Sequence, residues 1–384
     1  MDRLADTVAT LGDLIAFPTV SADPNRDIIA YLARHLEAAG ARVEVLTDDS
    51  GTKANLWATL GPDTGGGIVL SGHTDVVPVA GQDWTSDPFT MKERDGRLYG
   101  RGACDMKGFI AACLVMAPVF ADRTATRPVH FAFTHDEETG CIGARHLIAN
   151  LKRRRTRPSI AIIGEPTEMR VVEGHKGCYE YTTHFTGLEG HGSAPDAGVN
   201  AVDYAVRYVA RLLDLTERLK DRAPDASRFD PPWTTINVGS LAGGNARNTI
   251  AGRASVVWEM RPVAKPDADL VKADLAAYCK ETLLPAMQAV HPEASIETET
   301  IGEVEGLEPM DDNAARELVA DLTGANVAHV VPFGTEAGLF QAMGVDAVVC
   351  GPGSIEQAHK PDEFIAIDQL QACLKMLDGL SGRL

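Results

Sequence analysis

Ile68-Val69-Leu70-Ser71-Gly72-His73-Thr74-Asp75 reads as an apolar strand running into a small residue, a histidine and, two places on, an acid. Ligand sites in open α/β sheets lie at the carboxyl ends of strands. This segment therefore points both to a class of fold and to where its chemistry should sit. Taken alone, His73 is as consistent with a satisfied core histidine as with a ligand.

Outward from it, strands and helices alternate. Upstream, Leu4, Val8, Leu11 and Ile15 recur at helical spacing, and a second helix starts at Asp23-Pro24, runs through Ile28, Ile29, Leu32 and Leu36, and stops at Gly40. Apolar, β-rich runs follow at 42–46 and 55–60. Downstream, a helix is expected over about 107–119, a strand over 129–134, a helix over 142–151 and a strand over 160–164. Such alternation predicts an α/β layer with a largely parallel sheet.

The middle of the chain reads differently. Runs at 179–185, 234–238 and 254–260 look like strands, the last with Val256, Trp258 and Met260 on one face and Val257 and Glu259 on the other. Helical stretches at about 200–219 and 267–289 accompany them. This strand–helix–strand–strand–helix set makes a complete small α+β unit. We therefore expect an inserted domain at 179–293, with 1–178 and 294–384 forming the first domain. A length of 384 residues also suits two domains better than one core.

More strand and loop ends deliver polar groups. Gly100-Arg101-Gly102-Ala103-Cys104-Asp105-Met106-Lys107-Gly108 sets an acid between glycines ahead of a helix, where it is equally an N-cap. Phe131-Ala132-Phe133-Thr134-His135-Asp136-Glu137-Glu138-Thr139-Gly140 ends a strand in adjacent acids, which repel one another unless solvated or bound to a cation. Ile162-Ile163-Gly164-Glu165-Pro166-Thr167 repeats the pattern, and the glycine-rich loop from Gly351 to Pro361 carries His359. Each has an ordinary structural explanation. Together they supply His, Asp, Glu, Glu and His, a donor set that suits zinc without thiolates. Two metals about 3.5–4 Å apart need a bridging carboxylate and further ligands on each side, and this inventory matches that need.

The composition narrows the alternatives. Hydrophobic residues make up 45% and charged residues 23%, ordinary for a globular protein. A net charge of −18 argues against nucleic acid and anionic membranes as partners. No run of about 20 apolar residues stands out as a membrane span, and Met1-Asp2-Arg3-Leu4 does not open a signal peptide. The seven cysteines include no Cys-x-x-Cys pair, which fits free thiols in a reducing cytoplasm. A thiol hydrolase using Cys104 is the rival chemistry. A catalytically dead binding protein is the rival class, but it should have lost a ligand or a base.

Ser71-Gly72-His73-Thr74-Asp75, the Gly100–Gly108 segment, Asp136-Glu137-Glu138-Thr139-Gly140 and the late His359 occur in an order that resembles the di-zinc aminoacylase and carboxypeptidase family, which includes acetylornithine deacetylases and succinyl-diaminopimelate desuccinylases. The resemblance spans essentially the whole chain. It implies a zinc-peptidase-like catalytic domain, its mixed and mostly parallel sheet lying between helices, and an inserted α+β dimerisation domain. It implies two zinc ions per subunit, for which cobalt or manganese could substitute. His73 and Glu165 would hold one, Glu138 and His359 the other, and Asp105 would bridge them. Asp75 would orient His73, and Glu137 would be the general base; spacing alone does not separate Glu137 from Glu138.

Gly190-His191-Gly192-Ser193-Ala194-Pro195 resembles the family loop whose histidine reaches the active site of a partner subunit and stabilises the oxyanion, implying a homodimer. The segment from Gly243 to Ile250, with Asn248, resembles the substrate-binding stretch. Arg261 would pair with a substrate carboxylate or, equally, form a strand-end salt bridge. Phe109, the run Gly334–Gly338 and the segment Gly351–Phe364 resemble the branch acting on N-acetyl-L-ornithine, with Glu336 a candidate partner for the side-chain ammonium or, equally, a structural loop acid. The expected reaction is hydrolysis to L-ornithine and acetate, a step of arginine biosynthesis, in the cytoplasm. N-succinyl-diaminopimelate, other N-acyl amino acids and dipeptides are the alternative small-molecule substrates.

Overall fold

The fold is taken from a computed structural model that describes residues 2–21, 23–124 and 126–384. The chain divides into two compact units. The first comprises Met1–Gly174, Pro309–Val330 and Thr335–Leu384; the second comprises His175–Glu308 and Val331–Gly334.

The first unit is built on a mixed, mostly parallel sheet of eight strands flanked by helices. At its centre Val129–Thr134, Ile68–His73, Ile160–Pro166 and Asp346–Gly351 run parallel, and Ala54–Leu60 and Arg42–Thr47 continue the sheet antiparallel. Ile68–His73, Val129–Thr134 and Ile160–Pro166 are buried at every position. Successive side chains point to opposite faces, so both faces must be covered, which explains why these strands read as continuous apolar runs. The Arg3–Ile15 helix begins where Asp2 accepts hydrogen bonds from the Leu4 and Ala5 amides, and it buries Leu11, Leu14 and Ile15. The second helix, Arg26–Ala38, starts slightly later than Asp23-Pro24 suggests.

The helix expected over about 107–119 runs from Gly108 to Ala121. Joined to the irregular turn before it, Ala103–Ala121 is long and apolar enough to cross a membrane, the one such helix among the described residues. Here it is a core helix. Phe109, Ile110, Met116 and Phe120 are fully buried, and it packs against the first and last helices of the chain.

The second unit has a four-stranded antiparallel sheet in the order Thr235–Gly243, Arg253–Arg261, Cys178–Thr186, Ser295–Val304. Burial alternates along Arg253–Arg261, with Val256, Trp258 and Met260 inside. Those residues pack on the Ala201–Lys220 and Lys265–Tyr278 helices. The expected boundary at 293 falls too early. Ser295–Val304 pairs with Cys178–Thr186 from Ser295 opposite Thr186 to Val304 opposite Cys178, so residues 294–308 belong to the second unit. A strand's partner more than a hundred residues away leaves no local signature.

Candidate metal centre

The parallel strands bring their carboxyl ends together. His73 is the last residue of its strand, and Glu165 lies near the end of Ile160–Pro166. Glu137 and Glu138 follow Val129–Thr134, and His359 follows Asp346–Gly351 through a short 3-10 turn. Asp105 comes from the turn that opens the core helix.

Asp105 directs one oxygen to each histidine. Oδ1 is 3.0 Å from His73 Nε2 and Oδ2 is 3.2 Å from His359 Nε2. His73 Nε2 also lies 3.7 Å from Glu165 Oε1, and His359 Nε2 lies 3.0 Å from Glu138 Oε2. Ligand atoms around one zinc at about 2.1 Å with tetrahedral angles stand about 3.4 Å apart. His73, Asp105 and Glu138 form one cluster able to hold an ion, and His73, Glu137 and Glu165 form another. The donors are carboxylate and imidazole, as a divalent metal requires.

The electrostatics agree. Burial opposes ionisation of Asp105, but hydrogen bonds from His359 and His73 outweigh it and hold the carboxyl well below the usual range. Hydrogen bonds to Asp105 and Glu138 push His359 up to about 10, and His73 is raised by Asp105 and Asp75 despite its burial. The carboxylates thus draw positive charge onto both histidines, and a dication would satisfy the same demand through their lone pairs. Burial pushes Glu137 up to about 8, reinforced by repulsion from Glu138, Asp75 and Asp105 and opposed by His73. Nearby metal charge would pull it back down.

Asp75 supports the cluster from behind. Its backbone carbonyl lies 2.9 Å from His73 Nδ1, and its carboxylate accepts the Glu137 amide at 3.1 Å and the Glu138 amide at 3.3 Å. Ser21 Oγ donates to the same carboxylate at 2.7 Å, and Lys53, which donates to the Ser21 carbonyl, pairs with Asp136 at 2.5 Å. Asp136 is therefore a buried ion-pair partner and not part of a solvated acidic turn. Neither Ser21 nor Lys53 was singled out in the sequence, because each sits far from the acidic run. Phe109 is a core residue. A Cβ at Gly164 would come 2.0 Å from its ring, so only glycine lets the strand ahead of Glu165 lie against it.

Glu336 does not stand open to a substrate. It is 1% exposed, with one oxygen accepting from Ser71 and the other from Thr134 at 2.9 Å. Those hydroxyls lie on the strands that carry His73 and precede Glu137, so Glu336 braces the strand ends. Cys104 is buried, and burial together with Glu363 pushes its thiol well up, away from the thiolate a nucleophile needs.

His191, Asn248 and Arg261 belong to the second unit. His191 pairs with Thr249 in a two-stranded ribbon, and the Gly192 amide donates to the Asn248 carbonyl at 2.8 Å. The His191 ring is exposed and lies 2.7 Å from Ser193 Oγ. Arg261 donates to Glu259 at 2.8 Å.

Residues 69–382 match the family described as Peptidase family M20/M25/M40. The chain belongs to this family. It is accordingly a metal-dependent hydrolase. An acetylornithine deacetylase from Proteus mirabilis (strain HI4320) is 39% identical, over 94% of this chain and 92% of its own. An acetylornithine deacetylase from Myxococcus xanthus is 37% identical, over 98% of this chain and 97% of its own. In fold the chain is similar to an M20 family metallo-carboxypeptidase from Sulfolobus solfataricus, with a TM-score of 0.76 at 18% identity, covering 99% of both chains.

Proposed function

We propose that this chain hydrolyses N-acetyl-L-ornithine to L-ornithine and acetate, a step of arginine biosynthesis. The observation carrying the reading is the Asp105 carboxylate set between His73 and His359, with Glu137 beside it, in a chain similar along nearly its whole length to proteins named for this reaction. Two zinc ions suit the donor set: His73 and Glu165 would hold one, Glu138 and His359 the other, with Asp105 shared between them. When bound, such ions polarise an acyl oxygen and acidify water.

The rest falls to side chains. Glu137 takes a proton from the attacking water and returns it to the departing amine, as the amide C–N bond breaks and the new C–O bond forms. Asp75 fixes where that carboxylate stands by holding the Glu137 and Glu138 amides. His191 is the donor proposed for the developing oxyanion, and its exposure in the ribbon leaves the ring free to meet a ligand. Asn248, next to that ribbon, and Arg261, at the end of its strand, are the proposed substrate contacts. A homodimer formed through the second unit would let His191 serve the partner's site. The free cysteines suit a cytoplasmic enzyme.

The test is acetate release from N-acetyl-L-ornithine and other N-acetyl amino acids, and amine release from N-succinyl-L,L-diaminopimelate, after chelation and after zinc is restored. Zinc-restored activity greatest on acetylornithine is expected. Greater activity on another amide would overturn the substrate, and activity indifferent to chelation would overturn the metal chemistry.

A further inference from the structure

Asp105 and His359 come from distant parts of the chain, yet their ring-to-carboxylate distance is 3.2 Å. What holds that spacing lies one layer back. Glu363 is 1% exposed and uses both oxygens on the Asp105 turn: Oε1 accepts the Cys104 and Asp105 amides at 3.0 and 3.1 Å, and Oε2 accepts the Gly102 amide at 3.0 Å and Arg101 Nη1 at 2.8 Å. Arg101, also buried, then reaches the loop that carries His359. Nη1 donates to the Lys360 carbonyl at 3.2 Å and Nη2 to Gln82 Oε1 at 2.5 Å, while Gln82 Nε2 donates to the His359 carbonyl at 2.9 Å. The guanidinium lies 4.9 Å from the centre of the Trp84 ring, which limits its movement.

His359 needs this grip. Its φ is +63°, in the left-handed region that residues other than glycine adopt uncommonly. A residue held there keeps its geometry only if its surroundings over-determine it. Buried carboxylates with every lone pair engaged act as rigid struts, and Glu363 is anchored to the Asp105 turn and, four residues from His359, to the His359 loop.

We propose that Glu363, Arg101 and Gln82 form a positioning clamp that sets the separation of Asp105 and His359, and so controls how tightly the His359–Glu138 position holds its metal. The inference rests on the two-metal reading above. The clamp bears unequally on the two positions: it holds the loop of His359 as well as the turn of the shared Asp105, whereas His73 and Glu165 receive no hydrogen bond from its three side chains.

The experiment is stepwise zinc binding to the full chain, by competition with a chromophoric chelator, alongside the Tm of the metal-free protein. The variants are Glu363→Gln, Gln82→Ala and, as a surface control, Glu44→Gln. Gln82 is only half-buried and uncharged, so its variant folds even if the Glu363 substitution does not. The unaltered chain and the control should bind two equivalents alike. Supporting changes that orient metal ligands typically cost about 10-fold or more in affinity, so Glu363→Gln should weaken the equivalent at His359–Glu138 by about that factor, and the other, which shares only Asp105 with the clamp, by clearly less. Gln82→Ala should do the same to a smaller extent. Two unshifted equivalents in both variants would overturn the clamp. So would equal weakening of both together with a lower metal-free Tm, which marks a merely structural role. Fewer than two equivalents in the unaltered chain would instead overturn the two-metal reading, and the clamp with it.

Discussion

The sheets of the two units solve the burial problem in opposite ways. In the first unit, Ile68–His73 and its parallel neighbours are buried at every position, so a polar side chain at their ends must find a partner. In the second, burial alternates along Cys178–Thr186 and Arg253–Arg261, and His191 and Asn248 stand exposed on a local ribbon. The difference separates two kinds of functional residue. His73, Asp105 and Glu165 are pre-organised by a dense set of contacts, and their geometry is legible without a ligand. The His191 and Asn248 backbones are held by the ribbon while their side chains stand exposed, so their contribution must come from what they touch.

The sharpest break of that contrast is at Glu137. If it moves the proton, Glu137→Gln should lower kcat by about 10³-fold or more, within the range set by loss of a general base, while bound zinc stays at the unaltered level because Glu138 and the histidines remain. Steady-state kinetics with metal analysis checks this. A large loss of zinc would make Glu137 a ligand instead.

The second unit's counterpart should matter less. Removing a single oxyanion donor costs about 10²–10³-fold in kcat, so His191→Ala should fall near the lower figure, with the fold unchanged because the ring is exposed. Mixing decides how it acts. Protomers carrying Glu137→Gln and protomers carrying His191→Ala, unfolded and reassembled together at equal amounts, should regain about a quarter of full activity if His191 serves the partner's site. They should regain almost nothing if it serves its own.

The same contrast explains what the sequence disclosed. Strands buried on both faces are continuous apolar runs, so the strand expected over 129–134 meets Val129–Thr134 residue for residue, and the helix expected over 142–151 likewise meets Ile142–Leu151. The polar residues ending those runs stand out against them, which is why His73, Asp105, the adjacent Glu137 and Glu138, Glu165 and His359 are visible in the sequence, although only the family resemblance separates Glu137 from Glu138; the structure brings them close together. What the sequence hid depends on long-range pairing. Ser295–Val304 joins a strand over a hundred residues away, and its boundary was misplaced. Glu336 is readable from sequence either as an ammonium partner or as a structural loop acid, because nothing local announces that Ser71 and Thr134 will take its oxygens. Glu363 was visible in the loop after His359, but its role needed Arg101 and the Asp105 turn in space.

Acid should sharpen the comparison by the smallest amount. Each unit carries a buried histidine held neutral: His130 in the first, stacked 4.7 Å from Trp57 and 2.9 Å from Thr59 Oγ1, and His175 at the start of the second. Burial lowers both to about 4, helped at His130 by the Arg154 and Arg42 charges. An unfolded histidine titrates near about 6.5. Between pH 6.5 and 4 the unfolded chain therefore binds the proton that the folded one refuses. Stability contributed by each residue is complete above that window and lost as pH falls through it, by about 1.5 kcal/mol at pH 5.5. His130→Gln and His175→Gln should each flatten the fall of Tm with pH over this range, measured in chelator so that the carboxylate cluster titrates alike in every variant. If the units melt separately, each substitution should flatten only its own transition. If both flatten a single shared transition, the units unfold as one, and the contrast between their sheets is one of chemistry and not of stability.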